Sequence, residues 1–125
     1  MDSPTKPEVS IPENSAPKEL VIEDETIGSG REATKGSTVE VHYVGVSWSD
    51  GNQFDSSWDR AETFSFALGA GHVIAGWEKG VTGMRVGGRR RMTIPSELGY
   101  GATGAAKIIK PYETLVFVVD LVSVR

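Results

Sequence analysis

The sequence contains no cysteine. A disulfide framework, a thiol nucleophile and a cysteine-based zinc site are thereby excluded, and a reducing compartment fits. Long apolar runs are also missing. The longest, Leu115 to Val119, ends at Asp120, well short of the about 18 residues that a membrane-spanning helix requires. Met1-Asp2-Ser3-Pro4-Thr5-Lys6 lacks the basic start and apolar stretch of a secretory signal, so the expected location is cytoplasmic, with no membrane partner. Positive charge is in deficit: 13 Lys and Arg against 17 Asp and Glu give a net charge of −4. General affinity for nucleic acid is not expected of such a chain, because phosphate binding needs a basic face.

Conventional catalytic patterns are scarce as well. The two histidines, His42 and His72, stand far apart with no second ligand at metal-binding spacing. Neither has a carboxylate partner implied by spacing, and no Gly-x-Ser-x-Gly elbow occurs. Gly71 to Gly76 begins like a P-loop, but Trp77 and Glu78 occupy the positions that need Lys and Ser or Thr. No metal and no cofactor are therefore expected.

What the chain does have is glycine, 15 in 125 residues, with 38% hydrophobic residues. That composition predicts one turn-rich, mostly β domain with a real core. Residues 1–18 carry Pro4, Pro7, Pro12 and Pro17 and read as an irregular arm, with Val9 and Ile11 able to pin it. Residues 19–125 form the domain. Strands are predicted at Leu20–Ile27, with an acidic centre suited to an edge, and at Thr38–Val46, where Val39, Val41 and Tyr43 alternate inward. Further strands are predicted at Thr63–Leu68, Arg89–Ile94 and Thr114–Val124. Asp50-Gly51 marks a hairpin, while Gln53 to Arg60 shows no period. Arg89, Arg90 and Arg91 are expected to pair across strands with Glu23, Asp24 or Glu25.

One helix is predicted. Val73, Trp77, Val81 and Met84 share a helical face, yet the segment is glycine-interrupted and too short to stand alone. It must be laid into the sheet. Trp77 there is either core filler or the floor of an apolar pocket. Two facts favour the pocket: Tyr43 and Tyr100 carry hydroxyls that need partners, and Phe54 and Tyr100 lie in irregular segments. Glu97 to Glu113, with Ile108 and Ile109, is too long for an idle loop.

Several ordered blocks then become informative together: Val41-His42-Tyr43-Val44-Gly45, Phe54-Asp55-Ser56-Ser57, Phe64-x-Phe66-x-Leu68-Gly69, Val73-Ile74-x-Gly76-Trp77-Glu78, Tyr100-Gly101-Ala102 and Ile108-Ile109-x-Pro111-x-x-Thr114-Leu115-Val116-Phe117. From about residue 20 onward the chain resembles the FKBP-type peptidyl-prolyl cis–trans isomerases. The resemblance implies an α+β fold, a curved antiparallel β-sheet wrapped around one short α-helix. It implies Tyr43, Asp55, Ile74, Trp77, Tyr100 and Phe117 as the catalytic set. Phe54, Phe64, Val73, Ile108 and Ile109 are implied as substrate-binding residues. It further implies a folding helper, active as a monomer on proline-containing peptides and folding polypeptides, that binds the macrolides tacrolimus and rapamycin.

The chain departs from familiar small members by one extra residue between Val46 and Gly51, and by His72, Ala105, Ala106 and Lys110. These changes bear on ligand preference and leave the implied pocket intact. Rotation about an X–Pro bond needs no acid, base, nucleophile or metal, so the lack of such a constellation suits this activity. A binding module that holds proline segments with incidental turnover is the main alternative.

Overall fold

The computed structural model describes residues 5–105 and 108–125. Its strands are β1 (Val21–Thr26), β2 (Thr38–Ser47), β3 (Gln53–Ser56), β4 (Phe64–Ala67), β5 (Arg89–Ile94) and β6 (Leu115–Val124). The helix α1 spans Ala75–Val81, and a 3-10 turn covers Ser96–Leu98. All pairings are antiparallel, in the order β1-β5-β6-β2-β3. β4 shares an edge of β2 with β3: it pairs with Thr38 to Val41, and β3 pairs with Val44 to Val46.

The central strands behave as their alternation predicts. Val39, Val41 and Tyr43 of β2, with Leu115, Phe117, Val119 and Leu121 of β6, join Trp77 and Val81 in the main core. On the opposite face, Val44, Val46 and Val116 form a second apolar cluster. Its cover comes from Trp48, Trp58 and the arm residues Val9 and Ile11. The arm is further tied by an ion pair of Lys6 with Asp59 at 2.8 Å and by Arg89 donating to the Thr5 carbonyl at 2.5 Å. Arg91 donates to the Ser10 carbonyl at 2.7 Å.

Of the arginine run, Arg90 makes the expected cross-strand pair, with Asp24 at 2.7 Å. Arg89 instead meets Asp120 at 2.9 Å. Strand β1 is exposed along its whole length, as an acidic edge should be.

Two expectations change in detail. The helix is shorter than the Val73-to-Met84 periodicity, because both flanks leave helical geometry: Ile74 is extended (φ −61°, ψ 153°), as is Thr82 (φ −56°, ψ 128°). The glycines inside it serve close packing. A Cβ on Gly76 would lie 2.5 Å from Ile94, and one on Gly80 would lie 2.1 Å from Met92, so the helix lies flush against β5. Gln53 to Ser56, without a period in the sequence, is the strand β3; a register irregularity between Gly45 and Val46 obscures its alternation.

Candidate active site

Between helix and sheet lies a cavity of about 380 Å³ lined by Tyr43, Phe54, Asp55, Phe64, Gly71, His72, Val73, Ile74, Trp77, Tyr100 and Phe117. That volume falls in the range of small-molecule sites, roughly 300–1,000 Å³. Trp77 is almost fully buried. The Tyr43 ring stands edge-on to its indole at 5.0 Å and the Phe117 ring at 5.3 Å, with interplanar angles of 85° and 90°. Phe64 adds a third near-perpendicular ring at 6.0 Å. Phe54 in turn meets Phe117 edge-on at 5.5 Å. Edge-to-face packing of this kind satisfies the quadrupoles of the rings and fixes their orientation. The rings of the wall thus brace one another.

The polar groups are few. Tyr43 donates its hydroxyl proton to Asp55 Oδ2 at 2.5 Å. Arg60 donates to Asp55 Oδ1 through Nη1, and to the Tyr43 hydroxyl through Nη2 at 3.0 Å. The guanidinium also lies 5.8 Å from the Tyr43 ring centroid. The three side chains thus form a closed ring of donors and acceptors. Burial, reinforced by the bond to Asp55, pushes the Tyr43 hydroxyl above its ordinary range. The bonds to Asp55 and Tyr43 hold Arg60 more firmly protonated than usual. Asp55 therefore has an acceptor role on the wall, with both oxygens already engaged.

Ile74 precedes the helix, and its carbonyl accepts the Trp77 and Glu78 N–H groups at 3.0 and 3.2 Å. Its own N–H has no hydrogen-bond partner among the described residues. The Trp77 indole N–H is likewise buried and unpartnered among them.

Every residue of the expected set lines the cavity except Ile108 and Ile109. Ile109 is buried in the main core beside it, and Ile108 points out at 61% exposure. Ala105 and Ile109 form a bridge, and the Tyr112 backbone N–H donates to the Gly101 carbonyl at 2.8 Å. Tyr100 stands at the cavity rim, 41% exposed. Of the departures, His72 lines the cavity, Lys110 lies 3.9 Å from Asp50, and Ala106 lies outside the described residues.

His42 is locally bonded, to the Ser57 hydroxyl at 2.9 Å, and stacks on Trp58. From the sequence, Arg60 is expected only as a bonding partner of Asp55 on the wall, and Glu78 is given no role in the site. A basic residue five positions after Asp55 was the available signal for Arg60. Glu78 left no signal, because its partners are backbone N–H groups.

A curved antiparallel sheet clasping one short helix, with an aromatic cavity between them, defines a protein that binds an apolar ring and holds it against a few fixed hydrogen-bonding groups. Comparison with known proteins makes the class specific. The family model described as FKBP-type peptidyl-prolyl cis-trans isomerase matches residues 29–122, and the chain belongs to that family. It is an FKBP-type peptidyl-prolyl cis–trans isomerase.

An FK506-binding protein of Streptomyces anulatus is 53% identical over 120 residues, spanning 95% of this chain and 97% of that one. A probable FK506-binding protein of Corynebacterium glutamicum is 50% identical over 118 residues, spanning 94% and 98%. Among solved structures, AtFKBP13 superposes with a TM-score of 0.78 at 36% identity, covering 86% of this chain and 94% of that one. FkpA from Escherichia coli gives 0.77 at 40% identity, covering 85% of this chain and 48% of that longer one.

Proposed function

We propose that the cavity above Trp77 receives the proline ring of an X–Pro segment and lowers the barrier to rotation about the preceding peptide bond. Amide resonance sets that barrier at about 18–20 kcal/mol. At the upper value the uncatalysed rate is on the order of 0.01 per second. Twisting removes the resonance and leaves a less dipolar carbonyl, which an apolar cavity favours over the planar form. A fixed donor that reaches the twisted carbonyl but not the planar one adds stabilisation specific to the transition state.

Ile74 N–H, at the cavity wall and unpartnered among the described residues, is the observation that carries this reading. The Tyr100 hydroxyl is a second donor at the rim. Tyr43, Phe64, Val73 and Phe117 enclose the ring, and Phe54 flanks it. Asp55, braced by Tyr43 and Arg60, shapes the wall and is not a base. Ile108 and Ile109 contribute from the adjoining loop, Ile108 to flanking residues of the client and Ile109 by supporting the loop from within. The same cavity takes the macrolides tacrolimus and rapamycin; the FK506-binding relatives support that assignment. The working unit we assign is a cytoplasmic monomer, residues 19–125 with the arm of residues 1–18, assisting polypeptides whose folding waits on proline isomerisation.

Titration with tacrolimus, followed by ¹⁵N NMR, tests the site. The expected result is a set of shifts concentrated on the Ile74 amide, the Trp77 indole N–H and their neighbours. Shifts confined to the outer face of the sheet, or none at saturating ligand, would overturn the assignment.

A further inference from the structure

Gly71, His72, Val73 and Ile74 are four consecutive residues of the cavity wall. Among the described residues, none of their N–H groups donates to another backbone group. The wall therefore lacks the ladder that fixes a strand or a helix. Gly71 sits at φ +79°, a conformation only glycine adopts without strain.

What holds the segment is Glu78. Its Oε2 accepts the Gly69 N–H, and its Oε1 accepts the Gly71 N–H at 3.2 Å. Its own N–H donates to the Ile74 carbonyl at 3.2 Å. One residue thus anchors both the entry and the exit of the wall. The helix explains the arrangement: Trp77 turns inward to the cavity, and the next residue, Glu78, turns outward beneath the loop. A carboxylate suits the task, since it offers two acceptor oxygens and its bonds to N–H groups are charge-assisted.

We infer that Glu78 is a positioning residue for isomerisation, one that fixes the Gly71-to-Ile74 wall and, through it, the Ile74 N–H. The inference rests on the cavity being the active site as proposed above. Glu78 does not line the cavity, so it acts through the loop and does not touch the substrate. A glutamine retains one acceptor oxygen and can hold one of the two N–H groups; an alanine holds neither.

The test compares wild type, Glu78→Gln and Glu78→Ala by kcat/KM on a short X–Pro peptide, by urea unfolding and by ¹⁵N amide spectra. Glu78→Ala is expected to lower kcat/KM by about tenfold. Its unfolding midpoint should stay close to that of wild type, with broadening confined to Gly69, Gly71 and the residues up to Ile74. Glu78→Gln is expected to recover part of the activity and part of the line width. Folded Glu78→Ala with kcat/KM within about twofold of wild type would overturn the inference. So would lost activity with the Gly71 and Ile74 resonances unchanged, or a glutamine variant no better than alanine. Titrating the peptide into wild type separates the two levels: shifts at Trp77 and Ile74 uphold the site, so a negative variant result then counts against Glu78 alone. Shifts elsewhere overturn the site and this inference with it.

Discussion

Asp55 stands on the cavity wall with one oxygen engaged by Tyr43 and the other by Arg60. If it shapes the wall and does not transfer protons, Asp55→Ala should retain measurable turnover. The expected loss in kcat/KM is about tenfold, the effect of roughly 1.4 kcal/mol of transition-state stabilisation. Abolished turnover in a folded variant would show that Asp55 contacts the reacting segment directly.

Tyr43 gives a prediction with a definite sign. Its folded-state value is raised above the ordinary 10.0, chiefly by burial. In the unfolded chain the phenol ionises first, so the unfolded state releases its proton at lower pH and stability falls as pH rises. The contribution is fully present below the unfolded value of 10.0 and is lost as pH climbs through the raised folded value. Urea unfolding measured from about pH 9 to about pH 11 should therefore show a shallower alkaline decline in Tyr43→Phe than in wild type. Equal slopes would mean that Tyr43 is not the titrating group.

At the scale of elements, the N-terminal arm and the helix behave differently. The arm contributes Val9 and Ile11 to the cluster on the outer face of the sheet, opposite the cavity. Full burial of one such side chain is worth about 1.5–3 kcal/mol, so removing two half-buried ones should cost about as much in total. Deleting residues 1–17 is expected to lower the urea midpoint while leaving kcat/KM within about twofold of wild type. A large loss of kcat/KM with little loss of stability would place the arm in catalysis.

Strand β2 was legible because Val39, Val41 and Tyr43 alternate, and burial on one face imposes that period. The site aromatics were legible through their order along the chain. Strand β3 was not, since a bulge beside Gly45 breaks its alternation. The inward turn of Ile109 and the outward turn of Ile108 follow from the bridge to Ala105, a contact with no signature in composition. Glu78 was invisible for the same reason: a carboxylate that binds backbone N–H groups constrains no partner side chain.

At the scale of the whole molecule, the sheet brings together residues from separate segments that no single element could hold. Tyr43 and Phe117 come from the paired central strands, Phe54 and Asp55 from an edge strand, and Trp77 from the helix. Each face of the sheet has its own apolar cluster, so the cavity and the arm pack against different sets of side chains. The geometry concentrates apolar walls and few donors in one cavity, which is what stabilising a twisted amide requires. The most direct test is the rate of cis-to-trans relaxation of short X–Pro peptides on folded protein, with and without rapamycin. We predict acceleration that saturating rapamycin abolishes, because peptide and macrolide compete for the cavity above Trp77. Acceleration that persists with rapamycin bound would contradict the account by placing catalysis outside that cavity.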